Sequence, residues 1–289
     1  MLRTVDKVVT AHQQREGGGF IVRRPLPTAG IDLVDPFLMI DEMGPIEYGP
    51  GEAVGAPAHP HRGFETVTYI LSGSAEHRDS MGNHGVLEPG DVQWMTAGSG
   101  VVHAEMPSEK MRTQGGRVHG FQIWVNLPRA HKMTRPRYQQ RAATEIPTAT
   151  SDDGLAWVRV IAGKAMGVDA GIETFTPIQY LHYALQPGAS VTQGVPPSHN
   201  ALVYVFEGAV AIGKQQIQRG QMAVLSAGDA VRLNGTDGGQ SQLLFLSGVP
   251  LNEPVARYGP FVMNAVGEIK KAMLDYSTGQ MGTIAPEVR

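Results

Sequence analysis

The sequence predicts an all-β protein: two small barrels in tandem, with one short helix near the C-terminal end. Three observations predict it. The 36 glycines and 20 prolines recur as punctuation between short runs rich in Val, Ile, Phe and Tyr, the pattern of many short strands joined by tight turns. One strand–turn–strand pattern occurs twice along the chain. The one sustained helical periodicity lies close to the end.

The first copy reads "YILSG" at 69–73, followed by "PGDVQWMTAG" at 89–98, and the second reads "YVFEG" at 204–208, followed by "RGQMAVLSAG" at 219–228. In each, a strand ends at a glycine, and a second strand begins after a Gly-containing turn and ends in Ala-Gly. That is the grammar of a β-barrel used twice. Between the copies, "LPRAHKMTRPRYQQRAATEIPTATSDDG" (127–154) is polar and lacks apolar periodicity, so it reads as a connector. Its basic residues Arg129, Lys132, Arg135, Arg137 and Arg141 read as solvated, because aromatics are sparse and no nucleic-acid motif accompanies them. In "NAVGEIKKAMLDYSTG" (264–279), Val266, Ile269, Met273 and Tyr276 share one helical face, with Asn264 placed to cap the start and Gly279 the end. The expected division is 1–135 for the first domain and 136–289 for the second, which ends in the helix.

Bulk composition narrows the function. A chain of 289 residues, 42% hydrophobic, has material for two cores. A net charge of −3 argues against a protein built to grip nucleic acid or an anionic membrane. With no cysteine there is no disulfide, thiolate ligand or cysteine nucleophile, so any metal must be held by histidine and carboxylate. The opening "MLRTVDKVVTAHQQREGGG" has no apolar signal-peptide core, and no apolar run reaches membrane-spanning length. The expectation is a cytoplasmic protein with neither nucleic acid nor membrane as partner.

The two copies differ where chemistry would sit. With Gly90 set on Gly220, His103 falls opposite Leu233 and Glu105 opposite Gly235; with Gly73 set on Gly208, His59 falls opposite Gly194 and His61 opposite Pro196. His199, the nearby histidine of the second copy, is out of register. His59 and His61 are two residues apart, as are His103 and Glu105, and on an extended strand such pairs point to the same face. Two extended segments thus present three imidazoles and one carboxylate inward. That donor set suits iron, copper, nickel, manganese or zinc. It leaves a coordination position open for O2 or a chelating substrate.

The stretch "HPHRGFETVTYILSGSAEHRDSMGNHGVLEPGDVQWMTAGSGVVHAEMP" (59–107) resembles the pirin family of the cupin superfamily. So do "DPFLMIDEMGP" (35–45), "GFQIWVNLP" (120–128), "KMTRPRYQ" (132–139) and "GPFVMN" (259–264), in the same order. The resemblance implies two tandem cupin barrels of the jelly-roll type. One metal sits in the first barrel only, with the family's ligands falling on His59, His61, His103 and Glu105. The cofactor expected is one divalent transition metal, Fe(II) foremost, with Cu, Ni, Mn, Zn and Co as alternatives. The activity implied is that of a quercetin 2,3-dioxygenase, opening the ring of a flavonol with O2 and releasing carbon monoxide, with Glu105 as the catalytic base. Met95, Phe121 and Trp124 would either wall an aromatic substrate or fill the barrel core. Gln93, Arg62 and Glu65 are candidates to orient the imidazoles, while His77, His84 and His119 would lie near the mouth without being ligands. Asp41 and Glu42 are expected to fix a turn. Ser99 departs from the family pattern, in which a basic residue is common there; this bears on anion contacts or substrate preference, not on the metal. Two other readings are carried: a non-catalytic metal-binding regulator acting through a protein partner, and an enzyme of this fold acting on another enol or phenol.

Overall fold

Residues 1–284 are described by a computed structural model of the chain. Strands dominate, with α-helices at Glu109–Gln114 and Val266–Ser277. No helix among the described residues is long and apolar enough to cross a membrane, which says nothing of a β-barrel crossing.

Each half of the repeat contributes one four-stranded and one seven-stranded sheet. In the front half, the small sheet runs Ala56–His61, Val101–Pro107, Ala75–Asp79, His84–Leu87. Its larger sheet runs Arg137–Arg141, Val92–Thr96, Phe64–Ser72, Gly116–Asn126, Phe37–Tyr48, Phe20–Leu26, His12–Glu16. In the rear half, the small sheet has the matching order Ser190–Gly194, Ala230–Gly235, Ala209–Ile212, Gln215–Gln218. The larger one runs Val5–Thr10, Gln221–Leu225, Asn200–Glu207, Ser241–Gly248, Ile178–Leu185, Ala156–Ala162, Thr148–Thr150. The two tandem barrels and the C-terminal helix are therefore as the sequence predicts. The glycines that align the copies sit at equivalent turns: Gly73 and Gly208 have φ of +82° and +65°, Gly90 and Gly220 of +93° and +78°. That left-handed region favours glycine.

The domain boundary differs from the expected 135/136. One compact unit comprises Met1–His12, Arg23–Ile40 and Thr144–Leu251; the other comprises Gln13–Val22, Asp41–Ala143 and Asn252–Arg289. The reason is edge pairing. An open strand edge needs a partner, and the edge of Gln221–Leu225 is taken by Val5–Thr10 from the start of the chain, in register from Thr10–Gln221 to Lys7–Val224. The equivalent edge in the front unit, Val92–Thr96, is taken by Arg137–Arg141, with Tyr138 opposite Met95. Part of the expected connector is thus a sheet strand, and Lys132, expected to be solvated, is fully buried. Its ammonium donates to the carbonyls of Gly63 (2.8 Å) and Val262 (3.0 Å) and to Asn126 Oδ1 (2.7 Å).

The C-terminal helix belongs to the front unit, not the rear. Its buried residues are Ile269, Ala272 and Asp275, whereas Val266, Met273 and Tyr276 of the expected face are exposed. An ion pair decides the rotation, because Asp275 turns inward to Arg62 at 2.8 Å. The helix start is capped from within: Glu268 Oε2 accepts from the backbone N–H groups of Asn264 and Ala265, both at 2.9 Å, so the Asn264 side chain is not the cap.

The rear unit has an apolar core that includes Val158, Leu181, Tyr183, Val191, Leu233, Phe245 and Val205. Complete burial of such a side chain contributes about 1.5–3 kcal/mol. Strand register fixes which of these residues replace the front histidines. His59 lies opposite His103 and His61 opposite Val101 in the front; Val191 lies opposite Leu233 and Gln193 opposite Val231 in the rear. With His103 matched to Leu233, His59 therefore corresponds to Val191 and His61 to Gln193. The glycine-anchored alignment was three residues out at this strand, because the connections from it to the next strand differ in length.

Candidate metal centre

Three histidines from two adjacent strands meet in the front barrel. His59 and His61 project from one face of Ala56–His61, as alternation requires, and His103 faces His59 across the antiparallel pair. The candidate ligand atoms of His59, His61 and His103 all lie within 4.8 Å of one another. The ring centroids are 4.7 Å (His59–His61), 4.4 Å (His59–His103) and 4.8 Å (His61–His103) apart. His61 and His103 are buried and His59 is half-buried.

The proton positions follow from the partners. His59 Nδ1 lies 2.7 Å from the Pro57 carbonyl. A carbonyl can only accept, so Nδ1 carries the proton and a neutral His59 has a bare lone pair on Nε2. That lone pair points at His61 Nε2, 3.0 Å away. His61 Nδ1 and both ring nitrogens of His103 have no hydrogen-bond partner. Buried polar atoms are ordinarily paired. Converging, unpaired imidazole nitrogens, one oriented by a backbone carbonyl, are the donor set a divalent transition metal takes. The residues present fit such an ion. Burial, reinforced by the neighbouring His103 and His59 and opposed by Glu105, holds the His61 imidazole well below the usual histidine range. Burial does the same at His103, together with His59 and His77. Both rings therefore stay neutral at pH 7, the form that binds metal.

Glu105 does not belong to the group of mutually close ligand atoms. Between the His103–His59 and Glu105–Ala56 pairs the register slips by one residue, and such irregularities re-aim side chains. The carboxylate is instead held by two donors from the large sheet: Thr68 Oγ1 gives to Oε1 and Gln122 Nε2 to Oε2, both at 2.9 Å. Thr68 and Gln122 are cross-strand neighbours, so one sheet position presents both. The sequence reading missed this pair. The signal was available as polar residues at alternate positions (Thr66, Thr68; Gln122) in otherwise apolar strands.

The other expected site residues divide. Trp124 packs edge-on to His61 at 5.2 Å and against Phe64 at 4.3 Å, and Phe64 meets His61 at 5.0 Å. Trp124 and Met95 both pair with Thr66 and so share its face. Phe121 does not join them: it pairs with Tyr69, one residue out of phase, stacks on Tyr69 and meets His119 at a tilt. Gln93, buried opposite Thr68, is on the inner face. Glu65 is on the outer one, accepting from Thr96 Oγ1 at 2.6 Å. Arg62 orients no imidazole by hydrogen bonding; it donates to the Ser99 carbonyl (2.7 Å) and to Asp275. That carbonyl contact is the part Ser99 plays here. Asp41 and Glu42 lie buried within the strand Phe37–Tyr48 rather than in a turn, with Glu42 Oε1 3.1 Å from His119 Nε2. His84 is on the surface beside Glu76. His77 lies in the barrel, 5.4 Å from His103 and 4.7 Å from Tyr138, so the strand Arg137–Arg141 brings a residue of the expected connector against a histidine that borders the cluster. Half-buried His59, Glu105, Gln122 and Trp124 mark the side open to solvent.

Residues 19–125 match the family model described as Pirin, and residues 180–282 the one described as Pirin C-terminal cupin domain. Human Pirin is 42% identical over 97% of this chain and 94% of its own length. The crystal structure of a quercetin 2,3-dioxygenase from Acinetobacter baumannii superposes with a TM-score of 0.93 at 38% identity, covering 99% of this chain and 100% of that one. A bacterial pirin from Escherichia coli, solved in complex with nickel(II), shares the fold with a TM-score of 0.64 at 20% identity, over 84% of this chain and 99% of that one.

Proposed function

The chain belongs to the pirin family, and from that premise we propose that it is a metal-dependent dioxygenase that opens the ring of flavonols such as quercetin with O2 and releases carbon monoxide, acting in the cytoplasm. One observation carries the reading: three imidazoles converge, with His61 Nδ1 and both His103 ring nitrogens unpaired, beside an aromatic wall and a carboxylate held by two donors. His59, His61 and His103 hold one divalent transition metal, Fe(II) first among the candidates, with Glu105 as a further ligand once the ion is present. When bound, the metal supplies Lewis acidity toward the 3-hydroxyl oxygen of the flavonol.

Glu105 accepts the 3-hydroxyl proton on a carboxylate oxygen, leaving the electron-rich flavonolate that O2 attacks. Thr68 and Gln122 fix the carboxylate, so the base meets the substrate in one orientation. Trp124, with Phe64 behind it, offers a flat apolar face to an aromatic ring system. The similarity to the Acinetobacter dioxygenase, close in fold and 38% in sequence, supports this substrate class.

The test is oxygen uptake and carbon monoxide release with quercetin, using protein reconstituted with one defined metal at a time, beside Glu105→Gln and metal-only controls. Stoichiometric metal without flavonol turnover above those controls overturns the proposal, and capture of a protein partner by the metal-loaded form would then be the experiment to run.

A further inference from the structure

We infer that the C-terminal arm, residues 252–284, is a clamp that positions His61 for metal, with the buried Arg62–Asp275 pair as its latch. The inference rests on the metal-centre reading. It starts from chain geometry at the corner that follows His61. There the backbone is stitched to the arm on both sides: Arg62 N–H donates to the Pro260 carbonyl at 3.3 Å, and Val262 N–H donates to the Arg62 carbonyl at 3.0 Å. Gly63 lets the two backbones meet this closely, since a Cβ there would lie 2.0 Å from the Val262 oxygen.

The latch then fastens the arm's helix to the same corner. Arg62 Nη1 reaches Asp275 Oδ2 at 2.8 Å, with both side chains 5% exposed, while Lys271 adds a second contact to Asp275 at 3.0 Å. Arg62 Nε donates to the Ser99 carbonyl, which ties the corner to the turn before the strand of His103. Apolar packing of Val102, Phe261, Met263, Ile269, Ala272 and Met281 closes the remaining gap. A buried guanidinium paired to two separate segments holds its backbone in one place, and His61 is the adjacent residue. Arg62 and Asp275 are positioning residues: neither needs to touch the ion.

The test uses the full chain and nickel(II) as probe, reading affinity by calorimetric titration and backbone exchange by deuterium uptake. The double variant Arg62→Met/Asp275→Leu removes the latch without leaving a buried charge unpaired. It should fold and bind nickel(II) about 10–100-fold more weakly, the range for outer-shell substitutions. Because coupling is reciprocal, nickel(II) should slow deuterium uptake across Val266–Ser277 in the wild type and not in the double variant. Arg62→Lys keeps the charge but only one arm of the fork; it should bind with intermediate affinity, and it carries the test if the double variant does not fold. A folded double variant, or Arg62→Lys, that binds nickel(II) as the wild type does would overturn the clamp. So would helix exchange indifferent to nickel(II) in the wild type. Failure of the metal reading looks different: the wild type would bind no nickel(II), or His59→Ala would bind as well as the wild type, and the clamp would fall with it.

Discussion

Glu105 and Gln122 are joined across two sheets: the amide of Gln122, on the large sheet, donates to the carboxylate of Glu105, on the small one, at 2.9 Å. With Thr68 holding the other oxygen, the carboxylate is fixed outside the group of three histidines. Glu105→Gln should therefore retain metal on the histidines while flavonol turnover falls by about 10²–10⁴-fold, the usual span for loss of a general base. Metal analysis alongside oxygen uptake checks this; loss of metal together with activity would make Glu105 chiefly a ligand.

His59→Ala is the cleanest probe of the histidine cluster, because His59 is only half-buried and its loss disturbs the core least. Metal affinity should fall by more than about 100-fold, beyond the range that outer-shell changes reach. In the wild type, metal at a hundred times its Kd should add about 2.7 kcal/mol of stability, seen as a raised Tm. Because burial keeps His61 and His103 neutral below the usual histidine range, proton competition should release the metal only below about pH 6. Metal retention measured across a pH series checks this.

Glu65 supplies a pH dependence unconnected with metal. Burial raises its carboxyl to about 7, against the opposing effects of Thr96, Trp94 and Arg137. Between the unfolded value near 4.5 and about 7, the native state holds a proton that the unfolded chain has lost. This contribution to stability is thus fully present below about pH 4.5 and disappears as pH rises through about 7. Glu65→Gln should gain on the wild type by about 1–3 kcal/mol between pH 5 and pH 8, as read from urea unfolding at both pH values. An unchanged difference would show that Glu65 ionises normally.

Gly63→Ala tests the close approach at the corner after His61. Gly63 has a φ of +87°, and an added Cβ would lie 2.0 Å from the Val262 carbonyl oxygen. The backbone strain alone should cost about 1–3 kcal/mol, with more from the steric conflict, measured by denaturant unfolding.

Much of the protein was legible in one dimension because alternation along a strand is a local property. The i, i+2 spacing of His59 and His61 put both rings on one face, and His103 on a second extended stretch joined them. The duplicated glycine turns disclosed two barrels. Spacing alone did not show how Glu105 is held, since a one-residue slip in pairing is invisible in the spacing of either strand.

By itself, then, the sequence determined the all-β tandem architecture, the metal-capable front copy and the emptied rear copy, all properties of short stretches and their period. Only the tertiary structure decided that Val5–Thr10 completes the rear sheet, that Tyr138 of the presumed connector enters the front barrel, and that the last helix turns Asp275 rather than Tyr276 inward. Those outcomes depend on open strand edges and a buried charge finding partners tens to hundreds of residues away, and nothing in the local pattern of either partner records the other.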